Sequence, residues 1–135
     1  MISDYGEEFI PKRSTKQSAG YDLMIPQDLD MEPNVWYDVD TGIHLEKGDI
    51  KDTQCLIVLP RSGLGFKHRM KLANTVGLID SDYRESIKAR ISVEVPLGLK
   101  KGDRFLQFIV SEYGLVANEI PPEKVRESGI GSTGL

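Results

Sequence analysis

The chain has 135 residues, with 17 Lys and Arg against 21 Asp and Glu, a net charge of -4 and a single cysteine. That length fits one domain able to bury roughly two thirds of its unfolded surface in one core, and the acidic balance argues against a protein that follows the phosphate backbone of long nucleic acid. Cys55 has no second cysteine and no Cys/His cluster, which excludes an internal disulfide and a zinc centre and suits a reducing cytosol. No apolar run approaches membrane-spanning length, and the acidic start MISDYGEEFI lacks the basic residues of a signal peptide. A soluble, unprocessed, cytoplasmic protein is expected.

In chain order, SAGYDL (18–23) sets Asp22 between Tyr21 and Leu23, where the carboxylate reads as a turn cap or as a functional acid. CLIVL (55–59) is apolar on both faces, as expected of a strand covered on two sides. It runs into LPRSGLGFKH. If a short helix begins at Ser62, the Ser62 hydroxyl can cap it while the N–H groups of Gly63 and Leu64 point outward beside Arg61, which makes an anion site; the alternative is an ordinary turn with a surface arginine. In NTVGLIDSDYRES (74–86) an apolar trio, Val76, Leu78 and Ile79, reads as core yet meets Asp80, Ser81, Asp82 and Tyr83 at once. Taken alone, Tyr83 reads as a half-buried aromatic at a strand end.

IKARISVEV (87–95) is the clearest half-buried strand, with Ile87, Ala89, Ile91, Val93 and Val95 on one side and Lys88, Arg90, Ser92 and Glu94 on the other. RFLQFIV (104–110) is again apolar on both faces except for Gln107, whose amide needs a backbone, water or ligand partner. EKGD, PLGLKKGD and IPPE combine Gly, Pro and charge where the backbone must turn. Short strands with turns predict an all-β sandwich or barrel. The final RESGIGSTGL has nothing to bury and reads as a flexible end, or as a loop whose N–H groups wrap a phosphate.

Together, AGYDL from Ala19, PRSGLG from Pro60, NTVGLIDSDY from Asn74, GDRFLQFI from Gly102 and RESGIGSTG from Arg126 stand in the order of five motifs, and the chain resembles the homotrimeric dUTP diphosphatases (dUTPases) over nearly its whole length. The resemblance implies a distorted jelly-roll, or β-clip, barrel over residues 1–125 with a flexible arm at 126–135. It implies hydrolysis of dUTP to dUMP and pyrophosphate by a water that attacks the α-phosphorus. Asp80 would activate that water, Ser62 would donate to the bridging oxygen, and Gln107 would lie close to the α-phosphate. Arg61, Gly63 and the loop N–H groups would neutralise the triphosphate, with Mg²⁺ bound chiefly by the phosphates and Asp22 holding waters on the ion. Asn74, Gly77, Leu78 and Ile79 would read the uracil edge. Tyr83 would fill the space of a ribose 2'-hydroxyl, and Lys88, Arg126, Ile130, Gly131, Ser132 and Thr133 complete the substrate-binding set.

Two residues depart from the family pattern. Glu85 replaces a usual glycine, and its carboxylate should either point to solvent or weaken binding. Ile130 replaces the phenylalanine that stacks on uracil and supplies only part of the roughly 1 to 3 kcal/mol that base stacking contributes. Family members are trimers whose sites combine the phosphate loop of one subunit, the uracil hairpin of a second and the tail of a third. Two alternatives share the fold. A dCTP deaminase would need a glutamate where Arg90 stands, and a regulatory nucleotide-binding module would use tail closure as a signal.

Overall fold

The computed structural model describes residues 1–126. The expected tail residues Ile130, Gly131, Ser132 and Thr133 lie outside the described residues. In chain order the described chain forms β1 (Ile2–Ser3), a 3₁₀ turn (Glu7–Phe9), β2 (Lys12–Arg13), β3 (Tyr21–Met24), β4 (Leu29–Met31), β5 (Tyr37–Asp40), β6 (Ile43–His44) and β7 (Gln54–Pro60). Helix α1 (Ser62–His68) follows, then β8 (Lys71–Leu72), β9 (Gly77–Ile79), β10 (Lys88–Ser92), β11 (Leu97–Leu99) and β12 (Arg104–Glu112).

The strands form a five-stranded sheet ordered β2-β3-β12-β7-β9, a three-stranded sheet ordered β5-β10-β8, and two ribbons, β1-β6 and β11-β4. This is the expected jelly-roll-like, all-β architecture. Leu23, Leu56, Phe105 and Phe108 from the larger sheet join Val39, Leu72, Ala89 and Ile91 from the smaller one in a single core cluster. Phe105 and Phe108 are fully out of water, and each contributes about 1.5–3 kcal/mol by that burial.

A β-bulge between Arg104 and Leu106 explains why two consecutive residues, Phe105 and Leu106, both reach the core. Beyond the bulge the alternation resumes, with Phe108 inside and Gln107 and Ile109 only half-buried on the other side. The expectation that residues 55–59 and 104–110 are covered on both faces is therefore corrected. One face is core; the other, with Ile57, Leu59, Gln107 and Ile109, is half-open, and Leu59, Gln107 and Ile109 line a cavity.

The alternation at 87–95 holds from Ile87 to Ile91; beyond it Ser92 is buried between Ile91 and Val93, and Val95 is exposed. The chain leaves the sheet after Ser92 because the N–H groups of Glu94 and Val95 turn to the His68 carbonyl (3.0 and 3.4 Å). EKGD and KKGD are the same turn. In each the aspartate carboxylate accepts the N–H three residues earlier (Asp49 from Glu46 and Asp103 from Lys100, both 2.8 Å) and the glycine has positive φ. The front of PLGLKKGD is not a turn but β11, whose Leu97 and Leu99 pair with Met31 and Leu29.

Candidate active site

Antiparallel register sets Asp22 of β3 directly opposite Gln107 of β12, and Gln107 opposite Leu59 of β7, just before the turn into α1. Asp22 is thus a strand residue rather than a turn cap, and it is nearly buried. A carboxylate there needs partners. Arg61 Nε lies 3.0 Å from Oδ1, the Ser14 hydroxyl donates to Oδ2 at 2.7 Å, and Arg104 Nη1 stands 3.8 Å from Oδ2 while also donating to Ser14 Oγ at 3.3 Å. Gln107 Nε2 donates to the Pro60 carbonyl at 3.3 Å, the backbone partner that its place in an apolar strand required. Its Oε1 lies where a side chain on Gly20 would begin, 2.3 Å from an ideal Cβ.

The helix after β7 begins at Ser62, as expected, but Ser62 does not cap it. Arg61 occupies the cap position in extended conformation (φ -66°, ψ 144°) with no side-chain cap bond, and its carbonyl accepts the first helical bond, from Gly65 N–H (3.0 Å). The Arg61 N–H goes to the Phe105 carbonyl (3.3 Å), which keeps the chain paired with β12 until that residue. The N–H groups of Ser62, Gly63 and Leu64 precede any helical acceptor, and Ser62 and Gly63 are exposed. A cavity of about 480 Å³ collects Asp22, Arg61, Ser62 and Gln107, with Ser14, Gly20 and Ile109 in its wall. An oxyanion entering it would meet a guanidinium, a hydroxyl and an amide.

β9 forms the edge of the same sheet. Gly77 pairs with Val58, and an added Cβ would lie 2.9 Å from Val58 Cβ, so only glycine allows this close approach. The expected core trio is corrected here: Val76 and Leu78 are exposed, and only Ile79 packs partly against the core. On an edge strand, period-two alternation turns Leu78 away when Gly77 and Ile79 face in.

Asp80 follows at once and is half open to solvent, its side chain 55% exposed. Its carbonyl accepts Tyr83 N–H (3.1 Å). Tyr83 is buried rather than half-buried, with its hydroxyl donating to the Ser86 carbonyl at 2.8 Å. Burial, with the charges of Glu85 and Asp40 adding, raises its phenol above the usual range. Glu85 itself is exposed, the solvent-facing alternative of the two expected. Arg126 reaches this loop. Its Nη2 donates to Asp80 Oδ2, its Nε donates to Asp82 Oδ1 at 2.8 Å, and its guanidinium carbon lies 5.7 Å from the Tyr83 ring centroid.

The expected site residues thus fall into separate places. Asp22, Arg61, Ser62 and Gln107 share one cavity, whose described lining contains none of Asn74, Asp80 or Tyr83. Asn74 and Lys88 line another, of about 510 Å³, with Asp40 and Arg90. Arg90 is held there by a two-pronged pair with Asp38 (Nε–Oδ1 2.6 Å, Nη2–Oδ2 3.1 Å), which raises the guanidinium further above its already high range. Ser14, Gly20 and Arg104 escaped the sequence reading. A serine eight residues from its aspartate carries no signal until β2 folds beside β3.

The dUTPase family model matches residues 7–134. The deoxyuridine 5'-triphosphate nucleotidohydrolase of Mannheimia succiniciproducens is 34% identical, covering 99% of this chain and 93% of its own length. That of Albidiferax ferrireducens is 37% identical, covering 93% and 88%. Among solved structures, the dUTPase of Streptococcus mutans matches with a TM-score of 0.72 and 28% identity, over 87% of this chain and 96% of that one. A mutant Staphylococcus bacteriophage 80alpha dUTPase solved with dUpNHpp shares the fold, with a TM-score of 0.72 and 16% identity over 91% of this chain and 95% of that one. With a family match over residues 7–134 that includes every one of the motifs, and relatives 34% and 37% identical over nearly the whole chain, the chain belongs to the dUTPase family.

Proposed function

We propose that this chain is a dUTP diphosphatase that hydrolyses dUTP to dUMP and pyrophosphate in the cytoplasm, keeping uracil out of DNA and supplying dUMP for thymidylate synthesis. The observation that carries the reading is the cavity in which Asp22, Arg61, Ser62 and Gln107 converge in a chain of this family. Its chemistry suits a polyphosphate. Arg61 offers a planar fork of donors, Ser62 a hydroxyl for the bridging oxygen as charge gathers on it, and Gln107 an amide toward the α-phosphate.

Asp80 is the general base. Its exposed carboxylate takes the proton of a water aimed at the α-phosphorus, opposite the leaving pyrophosphate. In the free chain Arg126 occupies that carboxylate. A triphosphate offers the same guanidinium more negative oxygens, so substrate draws Arg126 from Asp80 and Asp82 and leaves Asp80 free to accept the proton. Asn74 and the backbone of Gly77, Leu78 and Ile79 read uracil, Tyr83 excludes a 2'-hydroxyl, Lys88 binds substrate from the recess it shares with Asn74, and Ile130, Gly131, Ser132 and Thr133 close over the nucleotide.

The donor set fits Mg²⁺ only as an ion brought by the phosphates. Among the described residues no group of three or more His, Cys, Asp or Glu side chains could hold a metal. Among the described residues that line the cavity Asp22 is the one carboxylate, and beyond Arg61 on Oδ1 and Ser14 on Oδ2, with Arg104 more distant, its oxygens have acceptor capacity suited to waters on the ion. When bound, Mg²⁺ neutralises phosphate charge that would otherwise repel Asp80.

The same layout supports a homotrimer in which subunits share each site. The phosphate cavity, the Asn74 and Lys88 recess and the Asp80 loop are separate in one chain. Leu78, Leu115, Val116 and Ile120 stand exposed, apolar surface that a neighbouring subunit would cover. Deamination of dCTP is disfavoured, since Arg90 is a permanent cation already paired with Asp38. The test is to incubate the protein with each deoxynucleoside triphosphate and UTP in Mg²⁺ and separate the products. Only dUTP should yield dUMP and pyrophosphate, with turnover falling by about 10²–10⁴-fold in Asp80→Asn. Deoxyuridine products from dCTP, or no product, would overturn the reading.

A further inference from the structure

The loop that carries Asp80 and Tyr83 lies on residues 40–44. Ile87 N–H donates to the Ile43 carbonyl (2.8 Å), and the Ile87 carbonyl accepts from the Thr41 N–H (3.0 Å) and the buried Thr41 hydroxyl (2.6 Å). One contact in this bed differs in kind. His44 Nδ1 lies 2.8 Å from the Arg84 carbonyl oxygen, and His44 Nε2 lies 2.9 Å from Asp4 Oδ2. A carbonyl and a carboxylate only accept, so both ring nitrogens must donate, and only the imidazolium does that. Either neutral tautomer leaves one acceptor without its hydrogen. The Arg84 guanidinium meanwhile turns back onto the Ser81 and Tyr83 carbonyls (2.8 and 3.3 Å). Arg84 therefore clasps the residues next to Asp80 with its side chain while its backbone is held by His44.

We propose that His44 is a positioning residue: its imidazolium ties the loop bearing Asp80 and Tyr83 to Asp4 at the N-terminal strand, so that loop order and dUTP turnover fall together when the ring loses its proton. The turnover half of this proposal rests on the function proposed above. Asp4, beyond β1, and Asp40, on β5, are the carboxylates that act on the ring, and Arg84 is the cation of the loop it holds. Burial opposes the charged ring, but the bonds to Asp4 and the Arg84 carbonyl, with the charges of Asp4 and Asp40, outweigh it and hold the imidazole above its usual 6.5. Because the folded value is raised, the tie is complete below about pH 6.5 and is lost as pH rises through the higher folded value.

The experiment follows three quantities in the full chain across this pH range: the His44 ring titration by NMR, amide protection factors for residues 81–87, and kcat and KM for dUTP in Mg²⁺. The ring should titrate above its usual value, loop protection should drop about threefold or more along the same curve, and kcat should fall with it. His44→Gln, which cannot donate at both ends, should show the weaker protection at every pH and no step. Asp4→Asn, altered only at the exposed partner, should move the ring titration down and carry the loop step with it. Protection that stays constant through the ring titration, or an unchanged loop step in Asp4→Asn, overturns the proposal even in an active enzyme. A kcat that ignores a loop step present in the same sample also overturns it. A chain without dUTP turnover overturns the functional reading instead, and the exchange data then decide the tie by themselves.

Discussion

Arg61 Nε and Asp22 Oδ1 lie 3.0 Å apart, so the cation expected to meet a triphosphate and the carboxylate expected to meet its ion first meet each other. The pair keeps a nearly buried carboxylate compensated before any ligand arrives, with Ser14 on the other oxygen. Asp22→Ala, which strands Arg61, Arg104 and the Ser14 hydroxyl, should lower stability by about 1–3 kcal/mol. A shift in urea midpoint at unchanged slope measures it. Asp22→Asn keeps an acceptor and should lose less stability while still impairing turnover.

Gly20 sets the position of Gln107. A methyl group there would begin 2.3 Å from Gln107 Oε1 and 3.3 Å from its Cβ. The nearest atom is the end of a side chain that can swing, so Gly20→Ala should fold, with a stability change within about 1 kcal/mol. The swing would break the bond to the Pro60 carbonyl and withdraw the amide from the α-phosphate. A fall in kcat of about tenfold at near-constant melting temperature is the expected signature.

Gly77 gives the opposite result. The clash of Gly77→Ala is with Val58 Cβ at 2.9 Å, an atom fixed to the backbone of a strand inside the sheet. Val58 cannot step aside, so β9 must move from β7, at a cost of about 1–3 kcal/mol. Calorimetry should show a lowered melting temperature, and Asp80, three residues on, should lose its placement, with turnover falling alongside.

A chain ending at Val125 removes the partner that Arg126 provides to Asp80 and Asp82. If Arg126 transfers to the triphosphate during the reaction, the shortened protein should keep its fold and lose about 10- to 1000-fold in kcat/KM. Circular dichroism checks the first point and steady-state kinetics the second. Equal activity would remove both the arginine and the arm from the mechanism.

Much of the architecture was legible because its signals are local. Alternation at 87–91 needs only a strand with one wet face, and EKGD and KKGD encode a glycine with positive φ beside an aspartate that bonds back three residues. Motif order was sufficient to identify the family. The signals that misled were apolar runs whose second face is not core. Leu78 and the outer residues of β7 and β12 read as interior because hydrophobicity alone does not say which side of an edge strand, or of a sheet beside a cavity, will be covered.

The amino-acid sequence by itself determined the strand periodicity, the turns, the family and the residue types that chemistry at a triphosphate demands. Only the tertiary structure decided which of them touch. Ser14, Arg61 and Arg104 surround Asp22 because β2 and β12 flank β3 and β7, on the far side of β12, ends where Arg61 can reach across, and His44 finds Asp4 and the Arg84 carbonyl because β6 lies between the first strand and the Asp80 loop. These contacts join residues far apart along the chain, through sheet register and loop packing. No local pattern announces them, since a side chain's partner across a sheet is set by the alignment of whole strands rather than by its neighbours in sequence.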